Sequence, residues 1–122
     1  MIKIFAFQKL EIYQLAKVIV TRTYAIIKAF PDSEKYAFSQ QMARSAVSVP
    51  SNIAEGYGRD SVKDKKHFLN IAYSSLLELV CQYEIARDLN YIDDQLFQKF
   101  MHDANVLAVK ISNFRRHYEE RR

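Results

Sequence analysis

Apolar side chains recur at intervals of three and four residues along most of this chain, and few turn-forming residues interrupt them. The clearest run is near the C-terminus, where the apolar positions are Leu96, Phe100, Ala104, Leu107, Ile111, Phe114 and Tyr118. Strands would show an alternation of two, whereas an alternation of three and four places these side chains on one face of a helix. The pattern therefore predicts a chain built from amphipathic helices.

Helix-breaking residues divide this pattern into four segments. Pro31, Gly58 and the Asn90-Tyr91 pair each follow an apolar run, and either Asp60 or Ser61 is suitably placed to cap the third helix. Helices are predicted at about 8–30, 33–57, 62–89 and 94–118. Because the connections are short, consecutive helices are expected to be antiparallel. The predicted fold is all-α: a single domain over residues 1–122 forming an up-down-up-down four-helix bundle.

Composition narrows the class of protein further. Hydrophobic residues make up 49% of the 122 residues, which is unlike a disordered chain, and no apolar run is long enough to span a bilayer. We therefore expect no membrane partner. The one cysteine, Cys81, cannot form an internal disulfide, which fits the reducing cytoplasm. The net charge of +4 is compatible with binding nucleic acid but does not establish it.

The third predicted helix is apolar around most of its circumference. Its apolar residues are Phe68, Leu69, Ile71, Ala72, Tyr73, Leu76, Leu79, Val80, Tyr83 and Ile85. A helix in a monomeric bundle leaves about half of its surface to water, so this helix needs a partner beyond its own bundle. In so short a chain, the simplest partner is a second copy, and a homo-oligomer is predicted. Glu78 falls among these apolar residues and would need a partner if it were buried.

The segment "ARSAVSVPSNIAEGYGR" at 43–59 is unusual, because a helical pattern continues through Pro50. A proline inside a helix costs about 3 kcal/mol, and Pro50 is predicted to face the core. Its polar residues allow three interpretations: an active site, a solvated face and an assembly or packing surface. The third is favoured: Arg44, Asn52 and Glu55 could satisfy one another, or Arg44 could pair with Glu78 on a neighbouring helix. Its predicted residues are Arg44, Ser48, Pro50, Asn52, Glu55, Gly56 and Glu78.

Catalysis and metal binding find little support in the sequence. The 43–59 segment contains serine, asparagine and glutamate but no histidine that would activate a nucleophile. Di-iron bundles need Glu-x-x-His pairs on facing helices, and the pair of Asp64 and His67 has no counterpart. The prediction is a protein that is not an enzyme and needs no metal or cofactor.

Basic residues are predicted to gather at one end of the bundle. In an up-down-up-down arrangement, the start of the third helix and the end of the fourth meet at the same end. The predicted nucleic-acid-binding residues there are Arg59, Lys63, Lys65, Lys66, Arg115 and Arg116, with Arg121 and Arg122 following them. Acidic neighbours dilute them: Asp60, Asp64, Glu119 and Glu120. Ordinary solubility remains an equal alternative explanation for this charge.

Specific residues resemble the family of 23S rRNA intervening-sequence proteins. They are Phe30-Pro31, Glu34, Gln40 and "RSAVSVPSNIAEG" at 44–56, followed by Phe68-Leu69, Ile71-Ala72, Ser75, Glu78-Leu79 and "LNYID" at 89–93. The resemblance implies an antiparallel four-helix bundle that forms a ring-shaped homopentamer. A protein related to this family in fold is the accessory variability protein of diversity-generating retroelements, a basic pentamer that works with a reverse transcriptase and nucleic acid.

Two functional hypotheses follow from these observations. The first is a non-enzymatic, oligomeric, nucleic-acid-associated binding protein that uses the basic end of the bundle, with RNA or DNA and a nucleic-acid-processing protein as partners. The second is a structural or protein-interaction scaffold with no nucleic-acid role. Steeply salt-dependent binding of RNA or DNA separates the two, because phosphate contacts release counterions.

Overall fold

A computed structural model describes residues 2–120 of the chain, and the regular secondary structure in this part is entirely helical. Four helices form it: α1 (Glu11–Ile27), α2 (Phe38–Tyr57), α3 (Val62–Asp88) and α4 (Asp94–Glu120). Short 3-10 turns at Ala6–Lys9 and Asp32–Glu34 precede α1 and α2. Each helix packs against the next one, and α4 packs against α1. The prediction of an all-helical bundle is confirmed.

The first two helices are shorter than the sequence predicted. Leu10 has an extended backbone, so α1 begins at Glu11 instead of residue 8, and it ends at Ile27 instead of residue 30. The capping signals after Pro31 start a 3-10 turn, and α2 begins only at Phe38 because Ala37 leaves the helical conformation. The predicted start of the second helix at residue 33 was therefore wrong by five residues.

The ends of α3 and α4 follow their local signals closely. The Ser61 hydroxyl accepts a hydrogen bond of 3.0 Å from the Asp64 amide, which confirms it as the N-cap of α3. At the C-terminal end of α3, Asn90 adopts a left-handed backbone conformation with a φ of 62°. The Tyr91 amide donates a hydrogen bond of 2.8 Å back to the Ala86 carbonyl. The Asp93 carboxylate caps α4 through the Leu96 amide at 2.8 Å.

The core lies between the four helices and takes side chains from each of them. Its largest fully buried members include Met42, Ile53, Tyr83 and Leu107. The Tyr83 ring stacks on Phe100 with their centroids 3.5 Å apart, and its hydroxyl shares a hydrogen bond of 2.8 Å with Thr23. Burial raises the pKa of Tyr83 to about 12, because an ionised phenol would lose its hydration there.

Helices α2 and α3 approach each other closely near the connection between them. A Cβ atom on Gly56 would lie 2.8 Å from the Cβ of Phe68 and 3.3 Å from the Lys65 carbonyl oxygen. Only glycine allows this approach, since real Cβ atoms do not pack at such a distance. Earlier in α2, Pro50 is buried, as its predicted place on the core side of the helix requires.

Helix α3 carries apolar side chains outside the core as well as inside it. Leu77, Cys81, Ile85 and Leu89 are all exposed, and they are spaced four residues apart along one side of the helix. The exposed fractions of the three large side chains are 53% for Leu77, 42% for Ile85 and 48% for Leu89. We refer to these four residues as the α3 strip. This helix is therefore more apolar on its outer surface than a solvated helix needs to be.

Candidate functional site

The six basic residues Arg59, Lys63, Lys65, Lys66, Arg115 and Arg116 are called the basic end. Contacts join its two helices, because Lys66 Nζ on α3 lies 3.4 Å from Glu119 Oε1 on α4. Arg115 Nη2 lies 3.5 Å from the same carboxylate oxygen. The start of α3 and the end of α4 therefore meet. Arg121, Arg122 and the side chain of Glu120 lie outside the described residues.

Other residues of the basic end are held by local partners. Arg59 Nη2 pairs with Glu55 Oε1 at 2.6 Å, and its guanidinium lies 4.6 Å from the centre of the Phe68 ring. Lys65 Nζ donates to the Tyr57 carbonyl oxygen at 2.9 Å. These contacts compete with any anionic ligand, although exposed ion pairs contribute little energy and exchange readily.

Two residues at the basic end remain available to an anion. Lys63 and Arg116 are exposed, and neither has an ion pair or hydrogen bond with the residues described here. The Nε of Arg115 is buried without a hydrogen-bond partner within residues 2–120. Because this nitrogen is closed to solvent, the exposed cations of Lys63 and Arg116 are the groups that an anion would meet.

Ser48 of the 43–59 segment connects α2 to α3 within one chain, and Asn52 supports it from the same helix. The hydroxyls of Ser48 and Ser75 share a hydrogen bond of 2.7 Å across the two helices. Asn52 Nδ2 donates to the Ser48 carbonyl at 2.8 Å and to its hydroxyl at 3.0 Å. Together with the close approach at Gly56, these contacts give this part of the segment a packing role inside the bundle.

The ion pair predicted between Arg44 and Glu78 does not form within the chain. Both side chains are exposed, and neither pairs with any residue that the structure describes. Glu78 therefore meets water and needs no buried partner. Glu55, which the sequence pattern grouped with Arg44 and Asn52, pairs instead with Arg59 four residues along the chain.

Comparison with known proteins assigns the chain to a family. The family model described as 23S rRNA-intervening sequence protein matches residues 8–113. The chain belongs to this family. The match includes Arg59, Lys63, Lys65 and Lys66 but ends before Arg115 and Arg116. Family membership therefore says nothing about the α4 part of the basic end.

Among solved structures, the chain is similar to a protein of unknown function from the S23 ribosomal protein family of Bacteroides thetaiotaomicron. The two are 20% identical with a TM-score of 0.76, and the alignment covers 85% of this chain and 97% of the other. At this level of identity the likeness shows the fold alone. No curated protein matches the chain.

The family match also spans a second cluster, which the sequence reasoning did not identify. The rings of Phe30, Phe38 and Tyr91 cluster around the two connections at the other end of the bundle, with the exposed Tyr36 beside them, and we call these four residues the aromatic end. The rings of Phe30 and Tyr91 are 5.0 Å apart, and those of Phe30 and Phe38 are 5.9 Å apart. Aromatic residues at 30, 36 and 38, around the connection between α1 and α2, were the available signal.

A hydrogen bond joins the two connections at the aromatic end. The Tyr91 hydroxyl donates to Glu34 Oε2 at 2.8 Å, and this bond to a carboxylate raises the pKa of Tyr91. The turn before α2 is therefore tied to the turn before α4. This anchoring gives the aromatic end a defined shape.

The structure also bears on two other kinds of site. Within residues 2–120, no three histidine, cysteine, aspartate or glutamate side chains are grouped so that they could hold a metal ion. None of the helices in this part of the chain combines the length and the apolar character that crossing a membrane requires.

Proposed function

We propose that this chain is a non-enzymatic, nucleic-acid-associated binding protein that contacts phosphate groups through its basic end. The observation that carries the proposal is the position of Lys63 and Arg116, which are exposed and unpaired among the described residues. They lie on the two helices that Lys66, Arg115 and Glu119 join. The family's description, which refers to 23S rRNA, supports an association with RNA.

Phosphate binding at this end would proceed by exchange of partners. Lys66 and Arg115 share the single carboxylate of Glu119 at 3.4 and 3.5 Å, and Glu119 is partly exposed. A phosphate carries more acceptor oxygens than this carboxylate can offer and matches the geometry of an arginine fork. Contacts of this kind read the backbone and not the bases, so the binding is weakly sequence-specific.

We further infer that the bundle is antiparallel and that the chain forms a homo-oligomer, with the five copies that the family resemblance implies. Support for the antiparallel arrangement comes from residue pairs such as Ser48 with Ser75 and Lys66 with Glu119. Support for the assembly comes from the α3 strip, since exposed apolar residues in one row favour a protein interface. Cys81, which has no disulfide partner in the chain, supports a location in the reducing cytoplasm.

The α3 strip equally favours the second function, a protein-interaction scaffold without a nucleic-acid role. Titration of labelled RNA and duplex DNA, followed by fluorescence anisotropy at several salt concentrations, separates the two. The proposal expects affinity to fall steeply with salt, with a log–log slope of about −0.9 per duplex phosphate contacted. Absence of binding at low salt would overturn the nucleic-acid-binding function and leave the protein-interaction scaffold as the remaining function.

A charge-matched pair of variants assigns the binding to the basic end. Replacing Lys63 and Arg116 together by alanine should weaken binding and make the salt slope shallower by the equivalent of about two phosphate contacts. Replacing Arg87 and Lys99 by alanine removes the same net charge near the end of α3 and the start of α4, away from the basic end. Equal weakening in both double variants would mean that general charge, and not the basic end, drives the binding.

The assembly is tested by the mass of the particle in solution. Leu77→Lys together with Ile85→Lys places two charges in the α3 strip and should reduce the mass, because burying an unpaired charge is costly. Val109→Lys is the matched control, since Val109 on α4 is 61% exposed and lies outside the strip. An unchanged mass for the α3 double variant would show that the strip is not the interface between copies.

A further inference from the structure

Tyr36 is a large aromatic side chain that is exposed on the surface of the bundle. It is 81% exposed, and it lies in the connection between α1 and α2. Its neighbours Phe30, Phe38 and Tyr91 pack their rings against one another, with centroids between 5.0 and 6.4 Å apart. Tyr36 takes no part in that cluster, although the cluster anchors the connection that carries it. Packing in the bundle therefore does not account for this side chain.

Tyr36 separates two open grooves on the surface. The first has a volume of about 460 Å³ and is lined by residues that include Tyr24, Lys28 and Lys35. The second has a volume of about 440 Å³ and is lined by residues that include Glu34 and Arg44. Tyr36 and Gln40 line both grooves, so the two grooves adjoin at these residues, and we call the exposed Tyr36 side chain the Tyr36 ridge.

Cations line both sides of this ridge, and they are unpaired. Lys28, Lys35 and Arg44 have no ion pair with any residue in the described part of the chain. Lys35 Nζ lies over one face of the Tyr36 ring, 5.4 Å from its centre, so a base would stack on the opposite face. Two carboxylates also line the grooves: Asp32 in the first and Glu34 in the second, where Glu34 already accepts the Tyr91 hydroxyl. The lining charge is therefore positive by one.

We propose that the Tyr36 ridge binds a single-stranded nucleic acid, with one base stacked on the Tyr36 ring. Phosphates on either side of that base would reach Lys28 and Lys35 in the first groove and Arg44 in the second. Sites for single strands combine a basic groove with an aromatic side chain that accepts any base. In a duplex the base faces are already stacked, so they are closed to such a ring. The inference rests on the nucleic-acid role proposed above and adds the strand state and a second site.

Packing and a hydrogen bond hold the connection between α1 and α2 in place, so the Tyr36 ridge is preorganised for binding. Phe30 is only 5% exposed, and the Tyr91–Glu34 hydrogen bond fixes the turn from the other side. A strand would therefore meet a ring whose backbone is already held in place, and binding would cost less conformational freedom. The exposed Tyr24, with 44% of its surface accessible, lies along the first groove as a second surface for a neighbouring base.

The experiment compares a labelled 12-nucleotide uridine strand with a 12-base-pair duplex by fluorescence anisotropy at low salt. Tyr36→Ala should weaken binding of the single strand by about tenfold and leave the duplex unchanged. Tyr36→Phe keeps the ring and should bind as the unaltered protein does. Lys28→Ala with Lys35→Ala should make the single-strand salt slope shallower by about 0.7 for each phosphate that the variant no longer binds. Circular dichroism confirms that each variant remains helical.

Comparing the Tyr36 variant with the Lys63 and Arg116 double variant tests the Tyr36 ridge and the basic end separately. If Tyr36→Ala binds the single strand as before while Lys63→Ala with Arg116→Ala weakens it, the ridge is overturned and the basic end stands. If Tyr36→Ala weakens the single strand while the Lys63 and Arg116 variant does not, the ridge stands and the basic end is overturned. Equal weakening of duplex and single-strand binding by Tyr36→Ala contradicts the ridge, and binding of neither ligand overturns both.

Discussion

The basic end and the aromatic end use their side chains in opposite ways. At the basic end, Arg59, Lys66 and Arg115 are held by Glu55 and Glu119, so much of the charge is already neutralised. At the aromatic end the rings hold one another, and the nearby Lys28, Lys35 and Arg44 keep their charge unpaired among the described residues. The number of basic residues in a segment is therefore a poor guide to the charge that a ligand would meet.

The two ends differ in how many of their cations are paired because different side chains surround their connections. The basic end places the start of α3 beside the end of α4, and both helices bring carboxylates as well as cations. The aromatic end draws its stability from apolar ring contacts, which leave charges on the outside. An end that is stabilised by packing keeps its charges free for a ligand, whereas at an end stabilised partly by ion pairs a ligand must displace carboxylates from some of the cations.

The largest expected effect concerns the packing beneath the basic end. Gly56→Ala should lower the free energy of unfolding by about 2 kcal/mol, because the added Cβ would lie 2.8 Å from Phe68 Cβ. Urea denaturation measures the change. Gly58→Ala is the matched control, since its Cβ would approach no atom closer than 3.7 Å and should cost nothing. Equal effects from the two substitutions would show that the close approach of α2 and α3 contributes little.

The next largest effect is a loss of folding stability at alkaline pH. It comes from Tyr83, which lies in the half of the bundle toward the aromatic end. The pKa of Tyr83 is raised from 10.0 to about 12, so the stability that its neutral form contributes is complete below pH 10. It is lost as the pH rises through 12, because the unfolded chain ionises first. At pH 11 the loss should be on the order of 1 to 2 kcal/mol, measured by urea denaturation against pH 9.

Tyr83→Phe provides the control for this pH dependence. The variant loses the hydrogen bond to Thr23 at every pH, but it has no phenol at position 83 to ionise. Its stability should therefore fall less between pH 9 and pH 11 than that of the unaltered protein. A parallel fall in both proteins would assign the alkaline sensitivity to other groups, of which Tyr91 is one because its pKa is also raised.

The smallest effect concerns Asn52, which holds Ser48 within α2 beside the Ser48–Ser75 contact to α3. Asn52→Ala removes the hydrogen bonds to Ser48 and should lower the free energy of unfolding by about 1 kcal/mol. Because those bonds lie within one chain, the mass of any assembly should stay the same. Ser51→Ala, at an exposed neighbouring position on α2, is the control for both measurements. A lower mass for Asn52→Ala alone would return this residue to an interface between copies.

The helices themselves were predictable because their signals are local. Apolar spacing, Ser61 as an N-cap and the breaks after Gly58 and Asn90 each depend on a few neighbouring residues. The start of α2 was not predictable in the same way. Asp32 and Ser33 can begin either a helix or a 3-10 turn, and the choice falls in a connection that ring contacts with Tyr91 hold in place.

Family membership and the gathering of basic residues followed from the order of residues and from short connections, since both depend on position along the chain. The partners of those residues were decided only in three dimensions. Whether Arg44 reaches Glu78, and whether Arg115 and Lys66 share Glu119, depends on distances of a few ångströms between helices. The Tyr36 ridge was also decided only by the tertiary structure. Phe30, Phe38 and Tyr91 pack against one another, and Tyr36 remains exposed beside them between two grooves.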